Sequence, residues 1–563
     1  MTAEARPDVT HPSPHLTHEV VNQVPPRVDL NEYARNPVLV EAVDRHGARW
    51  AQSELTEIGA LVGSASFQRD AALANTLTPT LQTTDRWGNR IDQVEYHPSY
   101  HRIMGAAVEH GAHTAAWAEP RPGANVARAA AFMLFAQIEP GHACPISMTH
   151  AVVPSLQVQP DLAAAWLPRA FSRAYDPALD TPGKASAIFG MAMTEKQGGS
   201  DVRANTTAAV PAGAGGPGAD YRLTGHKWFC SAPMSDAFLV LAQARGRGGE
   251  GLSCFLVPRV LPDGARNVFR IQRLKDKLGN KANASSEIEF DGTVAAMVGE
   301  PGRGVRTIIE MVARTRLDCV LGSAAGMRQA VAEATWHARH RSAFGRVLVD
   351  QPAMANVLAD LALESEAATV TAIRLARAYD LDASEEEQAF RRLATPVAKY
   401  WICKRGPQHA YEALECLGGN GYTEEYPLAM RYREQPVMAV WEGSGNVIAL
   451  DMLRAMRREP ESVAAFRAEL ERASGHHPIL DAHLNRVGRD ISGLAAADPA
   501  TAERLARSVV ESMALALQAA LLARFSPTPV SEAFIEARLG PDRGHEYGTL
   551  PSGARLAEIV QRH

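Results

Sequence analysis

At 563 residues the chain is too long for one hydrophobic core, and its length suggests about three or four domains. An apolar fraction of 46% with 21% charged residues sits among ordinary globular chains, away from disordered, collagen-like or fibrous compositions. The formal net charge of −5 argues against a globally basic nucleic-acid coat and leaves room only for a local basic patch.

Residues 1–35 read as a flexible, proline-interrupted lead-in without the basic-then-apolar order of a secretory signal. Residues 36–186 form a predicted helical domain, alanine-rich with helical apolar spacing and broken by turn signals at 85–89 and 119–123. From 187 to 300 short apolar runs such as FLVL (238–241), CFLV (254–257) and IEF (288–290), bounded by turn residues, predict an antiparallel β-domain. The tract PAGAGGPG (211–218) lies between two of those runs. It is therefore a hairpin loop and not a phosphate loop, which would need a helix after it.

Helical periodicity returns for 301–459, with segments near 305–340, 352–380, 385–416 and 444–457. A further helical module is predicted at 460–563, near 462–473, 478–494, 500–524 and 530–538, separated by proline-containing breakers. No internal repeat is visible. The most apolar stretch, 513–525, contains Gln518 and Arg524 and is shorter than the ~20 residues a membrane span needs, so no membrane partner is expected. Six scattered cysteines lack zinc or disulfide spacing; the expectation is reduced, buried thiols, no metal and a cytoplasmic chain.

Two segments carry candidate chemistry. In MAMTEKQGGSD (191–201), Gly198 and Gly199 lack the Cβ that would keep main-chain amides away from a flavin ring or its pyrophosphate, though the same residues suit a plain turn. In WEGSGN (441–446), Glu442 stands between a tryptophan and a glycine. In a closed apolar pocket its pKa would rise, as a base removing a proton α to a carbonyl requires. At a helix start it would instead be a macrodipole residue, with Ser444 or Asn446 capping.

With GHKWFCS (225–231), RSAFG (341–345) followed by Gln351, and ECLGGNG (415–421), these segments stand in the order found in the acyl-CoA dehydrogenases. The chain resembles that family over roughly residues 100–455. The resemblance implies an α+β fold: an N-terminal α-helical domain, a central antiparallel β-barrel-like domain and a C-terminal α-helical bundle, here with the extra C-terminal helical module. It also implies non-covalent FAD and oxidation of an acyl-CoA to its 2-enoyl product. Met193 and Thr194 correspond to flavin contacts, Ser200 to a position near the pyrophosphate, Phe229 to the flavin face and Ser231 to its reactive edge. Arg341, Phe344 and Gln351 correspond to a segment reaching FAD held mainly by a neighbouring subunit, and Gly418, Gly419 and Gly421 to its adenosine contact, so a homotetramer is implied. ECLGGNG is not a dinucleotide fingerprint, because no strand precedes it. Glu442 falls at the base position, Gly443 and Ser444 touch flavin again, and Arg316 matches an active-site arginine.

A narrower resemblance, carried by TEKQGGSD, GHKWF, LKDKLGN (274–280), NASSE (283–287) and WEGSGN, is to the AidB-like branch associated with the adaptive response to DNA alkylation. That branch implies weak activity on short branched acyl-CoAs and non-specific binding of double-stranded DNA through the C-terminal extension. Residues 451–563 hold 14 Arg and no Lys against 15 Asp plus Glu, a net of −1, so a DNA surface must be a one-sided cluster. Arg454, Arg457 and Arg458 are the candidates, with Arg524 beside them. The expected reaction is α-proton removal by Glu442 with hydride transfer to flavin N5. The rival is a flavin-containing DNA-binding protein that protects DNA from alkylation, its redox site vestigial. A nitroalkane-oxidase-like flavoenzyme is a minor alternative, since there the base is Asp.

Overall fold

Several helices begin where the sequence supplies a capping side chain. The Asn36, Ser64, Ser384 and Asp498 side chains accept from the amides of Leu39, Phe67, Glu387 and Thr501, and prolines open several first turns, where no partnered amide is lost. The computed structural model describes residues 17–179, 183–246, 249–541 and 544–563.

The N-terminal domain contains α1 (Pro37–Arg45), α2 (Gln52–Gly63), α3 (Ala65–Thr76), α4 (Pro98–Glu109), α5 (Ala115–Ala118), α6 (Ala124–Ile138), α7 (Ala143–Gln157) and α8 (Pro160–Ala170). It is not all helix. The turn at 85–89 joins two antiparallel strands, β1 (Thr80–Thr84) and β2 (Arg90–Glu95), whose β-branched and alternating residues override the helical texture around them. Residues 1–16 of the expected flexible lead-in lie outside the described residues. Residues 22–35 are pinned to the body: Trp336 donates to the Pro25 carbonyl at 2.8 Å, and Arg27 and Glu32 form a buried ion pair.

The central domain holds β3 (Phe189–Ala192), β4 (Ala208–Pro211), β5 (Asp220–Ser231), β6 (Ala237–Ala244), β7 (Gly251–Pro258), β8 (Arg270–Leu274) and β9 (Ser285–Val298). Pairings β6–β4–β5–β9–β7–β6 close a ring, giving the barrel-like form. Most neighbours are antiparallel, but β3 and β4 both run parallel to β6, against successive stretches of it. The chain between them, 193–207, is thus an excursion from one strand line, and it carries the glycine-rich segment. Along β6 one set of alternate residues, Ala237, Leu239 and Leu241, packs with Met148, Val152 and Trp166 of α7 and α8. The other set, Phe238, Val240 and Ala242, packs inside the barrel with Tyr221 and Phe255.

The following helices are α9 (Gly304–His340), α10 (Pro352–Arg377), α11 (Glu385–Glu415), α12 (Pro427–Val440) and α13 (Gly445–Arg458), with a two-residue-strand hairpin, β10 (Ser342–Ala343) and β11 (Arg346–Val347), after α9. Helix α12 escapes a periodicity reading because Pro436 lies inside it. The C-terminal helices are α14 (Pro460–Glu471), α15 (Pro478–Ala496), α16 (Pro499–Phe525), α17 (Thr528–Leu539) and α18 (Leu556–Val560). Their apolar faces join one core with α1, α6 and α9 to α13, so the extra module is built into the bundle. Helix α16, 27 residues long, is apolar enough to cross a membrane by length and composition, longer than the stretch singled out from sequence; 72% of its most apolar window is buried in that core.

Candidate active site

Glu442 sits where α12 has ended and α13 has not begun. Its φ is +57° and that of Gly443 is +109°, so the chain reverses through two left-handed residues, a conformation costing a non-glycine residue about 1–3 kcal/mol. Three side chains hold it there. Arg316 of α9 donates from Nε to the Glu442 carbonyl at 2.9 Å and is itself fixed by Asp451 of α13 at 2.7 Å. Lys399 of α11, fully buried, donates from Nζ to the Gly443 carbonyl at 2.6 Å and the Ala439 carbonyl at 3.4 Å. These cations satisfy carbonyls at and just beyond the C-terminus of α12, where the macrodipole favours positive charge.

The Glu442 carboxyl is treated differently from its backbone. Its Oε2 is buried with no hydrogen-bond partner in the described structure. Burial pushes its pKa above the usual carboxylate range, while Arg316, the Thr315 hydroxyl and Lys399 draw it back. Trp441 packs against Cys319, Cys403 and Met438, which anchors the loop to α9 and α11.

The excursion 193–207 is fixed by Glu195, whose buried carboxylate accepts from Lys227 Nζ (2.8 Å), the Thr206 amide (2.7 Å) and hydroxyl (3.0 Å), the Thr207 amide (3.1 Å) and Gln197 (2.8 Å). These contacts hold its pKa well below the ordinary value despite burial, and desolvation pushes Lys227 down to about 8. Thr194 accepts the Trp228 amide through its carbonyl at 2.8 Å, and its hydroxyl fills the space a Gly199 Cβ would need. Gly198, at φ +155°, faces open space, and Ser200 is exposed. Phe229 is 50% exposed. The Ser231 hydroxyl lies 3.1 Å from that of Ser285, which Lys277 Nζ meets at 3.1 Å. Cys144, at the start of α7, is in hydrogen-bonding reach of Ser231 and Asn283, and burial pushes this thiol up to about 11.

The structure brings Glu442, Gly443 and Arg316 into one neighbourhood but places other expected residues apart from it. Phe344 lies at the tip of the β10–β11 hairpin, 97% exposed with φ +52°. Arg341 is tied to the Asn22 carbonyl and Gln351 donates to the Ala343 carbonyl at 2.8 Å, so both brace that hairpin. Gly418 and Gly419 face open space, whereas a Cβ at Gly421 would meet the Leu414 carbonyl oxygen at 2.2 Å. Ser444 is exposed before α13. Arg454, Arg457 and Arg458 are exposed on the last turns of α13, with Arg454 touching Asp451 at 3.4 Å. Arg524 is not available to a ligand: it is committed to Glu469 at 2.7 Å in a network with Arg374.

Sequence reasoning missed Lys399, Thr315, Asp451 and the Glu195–Lys227 pair. The last two residues stood inside the quoted motifs. Lys399 had a signal of its own, a lone charge among Val397, Ala398, Tyr400 and Ile402 on a helix. The backbone at Gly198 is open, the ring of Phe229 is half-exposed and one carboxyl oxygen of Glu442 has no partner, so each of the two loops leaves groups free for a ligand.

Residues 22–177 match the model of the adaptive response protein AidB N-terminal domain, 190–293 that of the acyl-CoA dehydrogenase middle domain and 302–457 that of the acyl-CoA dehydrogenase C-terminal domain. The AidB protein of Escherichia coli strain K12 is 43% identical over 97% of each chain. The structure of Caenorhabditis elegans ACDH-11 in complex with C11-CoA aligns with TM-score 0.82 and 26% identity over 94% of both chains. An acyl-CoA dehydrogenase of Bacillus anthracis, complexed with FAD, shares the fold with TM-score 0.63 at 17% identity, covering 78% of this chain and 79% of that one. FAD is the cofactor of the family. The chain therefore belongs to the acyl-CoA dehydrogenase family, next to AidB, and is an oxidoreductase acting on acyl-CoA.

Proposed function

We propose that this protein is an FAD-dependent dehydrogenase of a short acyl-CoA, with Glu442 as the base that takes the substrate α-proton. The observation that carries the reading is the buried, unpartnered Oε2 of Glu442 on a backbone held by Arg316 and Lys399. FAD, when bound, supplies the acceptor for the hydrogen leaving the β-carbon. Thr194, Gly198, Ser200, Phe229 and Ser231 would hold it from the barrel side, and Gly443 and Ser444 from the base loop. Glu442 takes the α-proton on a buried oxygen with no competing donor. A positioned base contributes about 10²–10⁴-fold.

Anaerobic titration with a panel of acyl-CoAs tests the reading. Bleaching of the flavin by a short member, lost in Glu442→Gln with FAD still bound, is the expected result. A wild-type flavin that no acyl-CoA reduces would remove it.

The exposed Phe344, the open Gly418–Gly419 backbone and Tyr422, 84% exposed, support a homotetramer in which these elements complete a neighbour's cofactor site. A monomeric mass in solution with FAD bound would contradict that. A second reading, non-specific binding of double-stranded DNA, rests on Arg454, Arg457 and Arg458. With Arg524 committed elsewhere, three arginines support a salt slope of only about −0.9 per phosphate contact, a few units at most. Gel shifts at two salt concentrations, with all three reversed to Glu, check it; unchanged binding would move DNA off this surface.

A further inference from the structure

The least explained charge beside the base loop is Lys399. Its ammonium is fully buried, and among the described residues it meets backbone carbonyls and no carboxylate at ion-pair distance. Taking an ammonium out of water is expensive, and two carbonyls, one of them at 3.4 Å, repay only part of that. A methionine would fill the same space at lower cost, so the charge needs a purpose beyond packing. The anion-forming groups that feel it are Glu442 and the thiols of Cys319 and Cys403, and both thiols are held neutral by burial.

We propose that Lys399 is the positioning residue of the catalytic loop: by clamping the carbonyls of Ala439 and Gly443 it fixes the left-handed turn at Glu442, and its charge keeps that buried carboxyl available as a base. This rests on the reading of Glu442 as the base. Every group facing Glu442 enters the balance: Thr315, Arg316 and Cys319 from α9, Lys399 from α11 and Cys144 from α7. Arg316 is already engaged with Asp451 and with the Glu442 carbonyl. Lys399 is the cation whose charge no carboxylate neutralises by contact.

The test uses the FAD-loaded full chain with Lys399→Met and Lys399→Arg, the second guarding against a variant that fails to fold. Infrared titration of the buried carboxyl stretch, assigned to Glu442 by its loss in Glu442→Gln, reads the base without any substrate. In Lys399→Met the Glu442 midpoint should rise by at least half a pH unit, the acid limb of flavin reduction should move up with it, and the maximal rate should fall at least 30-fold with little change in KM. Lys399→Arg should restore the midpoint and part of the rate. A midpoint and rate unmoved in both variants, with FAD bound, overturn the proposal. A shifted midpoint in an enzyme that no acyl-CoA reduces keeps the clamp and rejects only the dehydrogenase reading.

Discussion

Glu195 and Glu442 are the same side chain on two loops, one of the barrel and one of the helical bundle, and the fold treats them in opposite ways. Glu195 accepts five hydrogen bonds, one of them from a buried lysine, and its pKa is held down. The Glu442 backbone is clamped by Arg316 and Lys399; one carboxyl oxygen has no partner, and its pKa is pushed up. Saturation turns a carboxylate into structure, because every lone pair is already used. An unsatisfied oxygen in a dry place retains the capacity to accept a proton, at a cost in stability that the surrounding clamps must cover.

That contrast can be broken most sharply at Glu442. Glu442→Gln should cost about 10²–10⁴-fold in flavin reduction while leaving the thermal midpoint equal to wild type or higher at neutral pH and above. The sign follows from the raised pKa: the ionised form carries an unfavourable term above the folded-state value, and the amide carries none. A clear loss of stability would mean that the carboxylate is structural after all.

Glu195→Gln should do the reverse, leaving the ammonium of Lys227 without its counter-charge and destabilising by about 3–5 kcal/mol, read from denaturant unfolding. Because the folded-state pKa of Glu195 is depressed, its contribution is present above the ordinary carboxylate range and is lost as pH falls through and below it. The difference between wild type and Glu195→Gln should therefore shrink below about pH 4. A constant difference across pH would show that the pair is not ionic.

The smallest change sharpens the comparison instead of breaking it. Thr315→Val removes a hydroxyl that, with Arg316 and Lys399, draws the Glu442 pKa down, so the acid limb of the rate profile should move to higher pH by less than one unit. An unmoved limb would leave Arg316 and Lys399 as the whole of the opposing effect.

Much of this molecule was legible from local sequence. Apolar spacing and proline breakers locate α9 to α11 and α13 to α17 within a few residues, because those signals act over three or four positions. The hairpin β1–β2 was hidden by alanine-rich neighbours and α12 by Pro436, where tertiary packing outweighed local preference. Glu442 is legible from its motif and Arg316 only through the family resemblance, and only the fold shows that this guanidinium grips a carbonyl and an aspartate.

Local sequence carries the order of the helical and barrel segments, the positions of the glycines that keep backbone open, and the Glu442 carboxyl proposed as the base. Tertiary structure alone decided which charges meet. Lys227 reaches Glu195 across 32 residues, Lys399 reaches Gly443 across 44, and Arg316 reaches Glu442 across 126. Pairings at such separations leave no periodic trace in the chain, and whether a carboxyl is saturated or left wanting a proton depends on burial and partners that exist only once the barrel and the helices have closed around it.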